Sequence, residues 1–174
     1  NQPSFKVAIA PFTYQPGSSS ILLDEEGRNK ISYLSLEILK NYLGKEKNLY
    51  LIEDPTLNRL KKNWQRSDLA HLKNKYQYIL LGSIKHFGNR KLKSNQKLLA
   101  YSKVHIQIID VELRKVIYEE YGDSQVSETD SSPEQYDINN RALQRSIMAL
   151  APKISERLLS KKWKAPIIEG YKNN

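Results

Sequence analysis

The chain has 174 residues, 39% hydrophobic and 27% charged, enough for a compact domain with a sizeable core. It has no cysteine, which excludes disulfides, thiolate metal sites and a cysteine nucleophile. The formal charge of +9 favours acidic partners such as nucleic acid, anionic lipid headgroups or an acidic protein face, and no apolar run approaches the ~20 residues of a membrane-spanning helix.

The first apolar run, FKVAIAPF (Phe5 to Phe12), reads as a buried strand closed by Pro11 and the turn residues QPGSSS. Asp24, Glu25 and Glu26 open a helix in which Ile31, Leu34, Ile38 and Tyr42 recur at helical spacing. Gly44 suits a left-handed residue past its end. LYLIED (Leu49 to Asp54) is a second strand, and Asp54-Pro55 caps a helix with Leu57, Leu60 and Trp64 on its buried side. Ser67 is placed to cap a further short helix through His71. Strand and helix alternate here, which predicts parallel pairing at the start of the sheet.

The second half reads differently. Tyr76 to Phe87 is a long strand, and Tyr101 to Val111 is its antiparallel neighbour. Val104, Ile106 and Ile108 alternate with Lys103, His105 and Gln107, giving one apolar and one polar face. Val116 to Val126 follows after the turn Glu112 to Lys115. Ser131 to Glu134 opens a last helix striped by Leu143, Ile147, Leu150, Ile154 and Leu158, with a kink or break expected near Met148 because of Pro152. The fold class is α/β (α+β). The expectation is a mixed five-stranded sheet in the order β-α-β-α-α-β-β-β-α, with helices packed on it. Residues 1–164 form a single domain, and 165–174 a loosely held tail.

Little of the chain carries catalytic signatures. His71, His86 and His105 have no second ligand at a recognised metal spacing. Gly82-Ser83 has neither the nucleophile elbow nor the phosphate-loop pattern, and a glycine inside a strand marks a bend, a bulge or a close approach. Asp110, Glu112, Glu119, Glu120 and Asp123 surround a hairpin and read as a solvated turn. No metal or cofactor is expected. The sharpest charge feature is KHFGNRKLKSNQK, whose Lys85, Arg90, Lys91, Lys93 and Lys97 have no acid among them. With Lys103 and His105 these are the candidate partner-binding residues.

The order of segments resembles the periplasmic domain of the curli-secretion lipoprotein family (CsgG), and is similar to the penicillin-binding-protein activator LpoB and the N-terminal domain of TolB. Tyr78, Gly82 and Ile84 match the group's central strand; Val104, Ile106, Ile108, Asp110 and Val111 match the start of its hairpin. The hairpin's Thr-Gly is replaced by Leu113-Arg114, so either the turn type differs or a non-glycine residue takes positive φ. The connections also lack the alternating apolar segments of a membrane barrel, so no pore is expected. The resemblance implies that Gly82 lets a helix approach closely. It further implies a non-enzymatic periplasmic adaptor or assembly factor for secretion, flagellar or peptidoglycan machinery. Its partners would be an envelope protein complex or further copies of itself, with an anionic surface as another possibility and no specific nucleic acid. No signal peptide is visible at Asn1; a lipidated cysteine upstream of it would anchor the protein to the outer membrane. Two other classes stay open: a basic module binding nucleic acid or an anionic surface, and a hydrolase with dispersed catalytic residues.

Overall fold

The computed structural model describes residues 4–17, 20–60, 64–128 and 135–160. The expected opening of the last helix at Ser131–Glu134 and the C-terminal tail lie outside them. Six strands form one mixed sheet: β1 (Phe5–Ile9), β2 (Thr13–Tyr14), β3 (Leu49–Glu53), β4 (Tyr78–Lys91), β5 (Leu98–Asp110) and β6 (Lys115–Glu128). The order is β3-β1-β4-β5-β6, with β2 added alongside β4. The sheet therefore has one strand more than the sequence suggested. That strand is two residues long, too short to leave a pattern of its own. As expected, β1 lies parallel to β3, and it lies parallel to β4 as well. β4, β5 and β6 form a long antiparallel meander.

Two helices, α1 (Glu25–Leu43) and α2 (Gln135–Leu159), pack on the same face. Asp24 caps α1 by accepting the Gly27 N–H at 2.8 Å, as its position before two glutamates predicts. The buried stripe of α1 is Ile31, Leu36, Leu39 and Leu43; Leu34, Ile38 and Tyr42 sit half-buried at its edge. These residues meet Val7, Ile9, Tyr78, Leu80, Ile84, Val104, Ile106 and Ile108 from the sheet and Leu143, Ile147, Leu150, Ile154 and Leu158 from α2. Among the described residues, the other face is covered at one end, by two short 3₁₀ helices (Pro55–Arg59 and Arg66–Leu72). There Leu57, Leu60, Leu69 and Leu72 bury Ile79, Leu81 and Ile109. The hydroxyl of Tyr76 donates to Asp54 at 2.6 Å, tying the start of the first 3₁₀ helix to the approach to β4. Burial, and then that bond, push the Tyr76 phenol up to about 12, while hydrogen bonds from Thr56 and Tyr76 hold the Asp54 carboxyl down.

Several local expectations are corrected. Gly44 is right-handed, at φ −64°. It closes α1 by donating to the Lys40 carbonyl at 2.7 Å, and a Cβ there would come within 2.8 Å of that oxygen. The second 3₁₀ helix is opened by Gln65, whose N–H donates to Asp68 at 2.7 Å, and not by Ser67. α2 runs unbroken through Pro152. Met148, whose carbonyl loses its partner there, is 36% exposed, so the interruption falls on the solvent side of the helix. In the β5–β6 turn the second of the two expected alternatives holds: Arg114 takes a positive φ, 53°, and Asp110 accepts the Leu113 N–H at 2.8 Å.

Gly82 points toward the helix side of the sheet, but what fills its place is the ring of Phe12, 2.6 Å from where a Cβ would be. The three nearest atoms all belong to that ring and none to a helix. The glycine that admits a helix is Gly122 in β6, where a Cβ would collide with the Ser146 carbonyl of α2 and come within 2.9 Å of Leu150. Beside it, Ser146 donates to the Leu143 carbonyl at 2.8 Å and so accepts from Ser102 at 3.0 Å.

Candidate functional site

Because α1 and α2 lie on one side and the 3₁₀ helices cover one end of the other, the rest of the β4–β5–β6 face is open among the described residues. The strand register arranges its side chains in rows: Ser83, His105 and Tyr121; then His86, Lys103 and Asp123; then Gly88, Tyr101 and Gln125. A bulge at Lys85 sets this phase. It inserts one residue between Ile84, which faces the core, and His86, which lines the open face. The Lys85 ammonium donates to Gln15 at 2.7 Å, and the Lys85 carbonyl accepts the Gly17 N–H at 2.8 Å, so residues 15–17 run along the bulge.

Two shallow depressions share the face. One, of about 480 Å³, lies between Thr13, Gln15, Trp64, Lys85, His105 and Gln107. The other, of about 640 Å³, is lined by His86, Arg90, Tyr101, Lys103, Asp123 and Gln125, with Leu99 at its side. In the first, His105 Nε2 donates to Glu119 at 2.7 Å, Gln107 donates to the same oxygen at 3.1 Å, and the imidazole packs on the Tyr121 ring at 4.6 Å between centroids. The Lys103 ammonium sits over the same ring, 4.8 Å from its centroid.

Ser83, His105 and Glu119 thus lie across three strands in the order a nucleophile, base and orienting carboxylate would take. The Ser83–His105 hydrogen bond that such a relay requires is absent among the described residues, and Ser83 is buried. His86 and His105 sit on neighbouring strands but in different rows, and no metal-holding cluster occurs among the described residues. His71 Nε2 instead accepts from Arg59 at 2.6 Å, away from this face.

The seven predicted site residues fall into two groups. Lys91, Lys93 and Lys97 stand exposed at the tip of the β4–β5 hairpin, whose turn is closed by Leu92 N–H to the Lys97 carbonyl at 2.8 Å and by Gln96 at φ 60°. Lys103 and His105 lie on the open face, Lys85 stands at its bulge, and Arg90 reaches the groove from the tip side. His86, Tyr101, Asp123 and Gln125 also line the groove and were not picked out as partner-binding residues. Their only sequence signal was the alternation with Ile106, Val104 and Val126. Of the acids read as a solvated turn, Asp110 is 1% exposed, and burial raises its pKa against the pull of the Leu113 and Glu112 amides. Glu120 accepts from Tyr118 at 2.8 Å and pairs with Lys153 of α2 at 3.5 Å; both contacts, the first more strongly, keep it ionised.

No family model matches the chain. In sequence it is similar to the DNA replication ATP-dependent helicase/nuclease DNA2 of Mus musculus, with 33% identity over 88 residues, but spans only 8% of that protein's length. In structure it is similar to a hypothetical protein of Chlamydia trachomatis: TM-score 0.63, 13% identity, 91% of this chain and 99% of that one covered. It is also similar to a lipoprotein of Neisseria meningitidis, at TM-score 0.51 and 10% identity over 88% of this chain and 99% of that one. The PelC dodecamer of Paraburkholderia phytofirmans matches at TM-score 0.52 and 14% identity over 86% of each chain. The chain thus has a fold found in a bacterial lipoprotein and in a subunit of a dodecameric assembly.

Proposed function

We propose that this chain is a non-enzymatic adaptor or assembly-factor domain of the bacterial cell envelope. It works on the periplasmic side of the outer membrane, tethered through a lipidated cysteine upstream of this segment. The observation that carries the reading is the fold shared with a lipoprotein over nearly the whole of both chains. The dodecameric neighbour adds self-assembly as one use of the same scaffold. In this chain the docking element is the basic hairpin tip. Its charges project beyond the sheet, where they raise association rates with an acidic protein face more than they prolong the complex.

A photo-crosslinking residue placed at Lys93 in intact cells tests this. The expected adducts are envelope proteins or further copies of this chain, and a residue placed in the opposite hairpin turn at Glu112 gives none of them. Replacing Arg90, Lys91 and Lys93 by Ser should abolish the adducts of a crosslinker at Ser94 without lowering the melting temperature. Equal adducts from both turns, or none from Lys93, overturn the reading.

A further inference from the structure

We propose that the 640 Å³ groove on the open face binds a short acidic saccharide. Its lining offers polar ends that the fold leaves uncommitted. Arg90, Asp123 and Gln125 have no hydrogen-bond or ion-pair partner among the described residues. Lys103 and Asp123 are direct cross-strand neighbours, yet the ammonium turns to the Tyr121 ring instead of neutralising the carboxylate.

His86 adds a donor of fixed direction. Its Nδ1 is buried without a partner among the described residues, and Gly17 presses so close that a Cβ there would fall 2.6 Å from the ring. A proton on Nδ1 would be buried with no acceptor, which favours the neutral tautomer that offers Nε2–H as the donor. The groove thus presents one carboxylate acceptor, one amide able to do both, and three donors of positive or dipolar character. The Tyr101 side chain, lying over Gly88, forms one wall.

Vicinal hydroxyls both donate and accept, and a lining that offers Asp123, Gln125 and Arg90 together answers that chemistry. The excess of cationic donors selects a sugar bearing a carboxylate over a neutral one. A peptide fits less well. The backbone of β5, which floors the groove, is already paired on both sides along this stretch, so a peptide lying on it finds no main-chain partners there, and Leu99 is the one aliphatic side chain among the lining residues available as an anchor. This site shares Arg90 with the hairpin-tip docking proposed above; Lys91 and Lys93 belong to the tip alone and Lys103 and Asp123 to the groove alone, so either can fail without the other.

The test is titration of the whole chain with trigalacturonate, maltotriose, triglutamate and inorganic phosphate, followed by calorimetry and by amide and imidazole NMR shifts. Trigalacturonate should bind and shift His86 and Gln125, while maltotriose binds at least tenfold more weakly. Lys103→Gln should weaken trigalacturonate at least tenfold, and Lys91→Ser with Lys93→Ser less than twofold. Asp123→Ala gives a test of sign: it should weaken trigalacturonate, by removing the hydroxyl acceptor, and strengthen phosphate, by removing a negative charge. Unchanged melting temperatures establish that each variant is folded. Failure of trigalacturonate to shift the groove, retained affinity in Lys103→Gln, or triglutamate binding equally at the same residues overturns the proposal.

Discussion

On its helix-covered side β5 presents Ser102, Val104, Ile106 and Ile108, all buried; on the other side the same strand presents Tyr101, Lys103, His105 and Gln107, all half-exposed. The covered side is constrained by volume. Gly82 is filled by an aromatic ring and Gly122 by a helix backbone, and the one serine pair, Ser102 with Ser146, is fully hydrogen-bonded. The open side is constrained by direction. Its side chains are planar or charged, and they lean on one another through Tyr121 and Glu119. The comparison teaches that substitutions on the covered side should be read in stability, and substitutions on the open side in binding.

The largest effect should come from Gly122→Val. The obstructing group is helix backbone, which cannot rotate away, so α2 must shift and stability should fall by about 3 kcal/mol, the upper end for overpacking. Chemical denaturation measures it; a loss below about 1 kcal/mol would show that the α2–β6 seam is looser than the comparison requires. Gly82→Val should cost less, about 1–3 kcal/mol, because its obstacle is a side chain. In a Phe12→Ala background the same substitution should cost distinctly less, and an unchanged cost would place the strain elsewhere. Ser83→Ala, one residue away on the open side, should change stability by less than about 0.5 kcal/mol.

The smallest and most pH-dependent effect is that of Asp110→Asn. The folded protein raises this carboxyl's pKa through burial, so Asp110 contributes stability while protonated, below its ordinary value of 3.8, and loses it as pH rises through the folded value. Asparagine keeps the acceptor for the Leu113 amide. The variant should therefore melt higher than wild type at pH 7, with the difference shrinking toward pH 3. A difference that does not vary with pH would mean that the turn, and not the buried charge, sets the effect.

The alternation of apolar and polar residues in β5 was legible in the sequence because a half-buried strand must alternate, and it gave both faces their correct residues. The parallel start was legible from the order of elements. What the sequence hid was whatever depends on a neighbour distant in the chain. Gly82 and Gly122 look alike as strand glycines, and nothing local says that one meets Phe12 and the other Ser146. The bulge at Lys85 was equally silent, although it decides that His86 reaches the groove while Phe87 returns to the core. The basic tip was visible as a run of cations. The groove was not, since its lining comes from three strands with only two to four residues from each.

The position of β1 has a mechanical consequence. It is the first strand in the chain, yet it lies inside the sheet, paired over five residues with β3 and over three with β4, both parallel to it. A pull on the chain ahead of Phe5, directed along the strand, therefore loads both ladders in shear, so their hydrogen bonds must yield together instead of unzipping singly. A domain hung from a membrane by its leading end would have its strongest grip at the point where the tether enters.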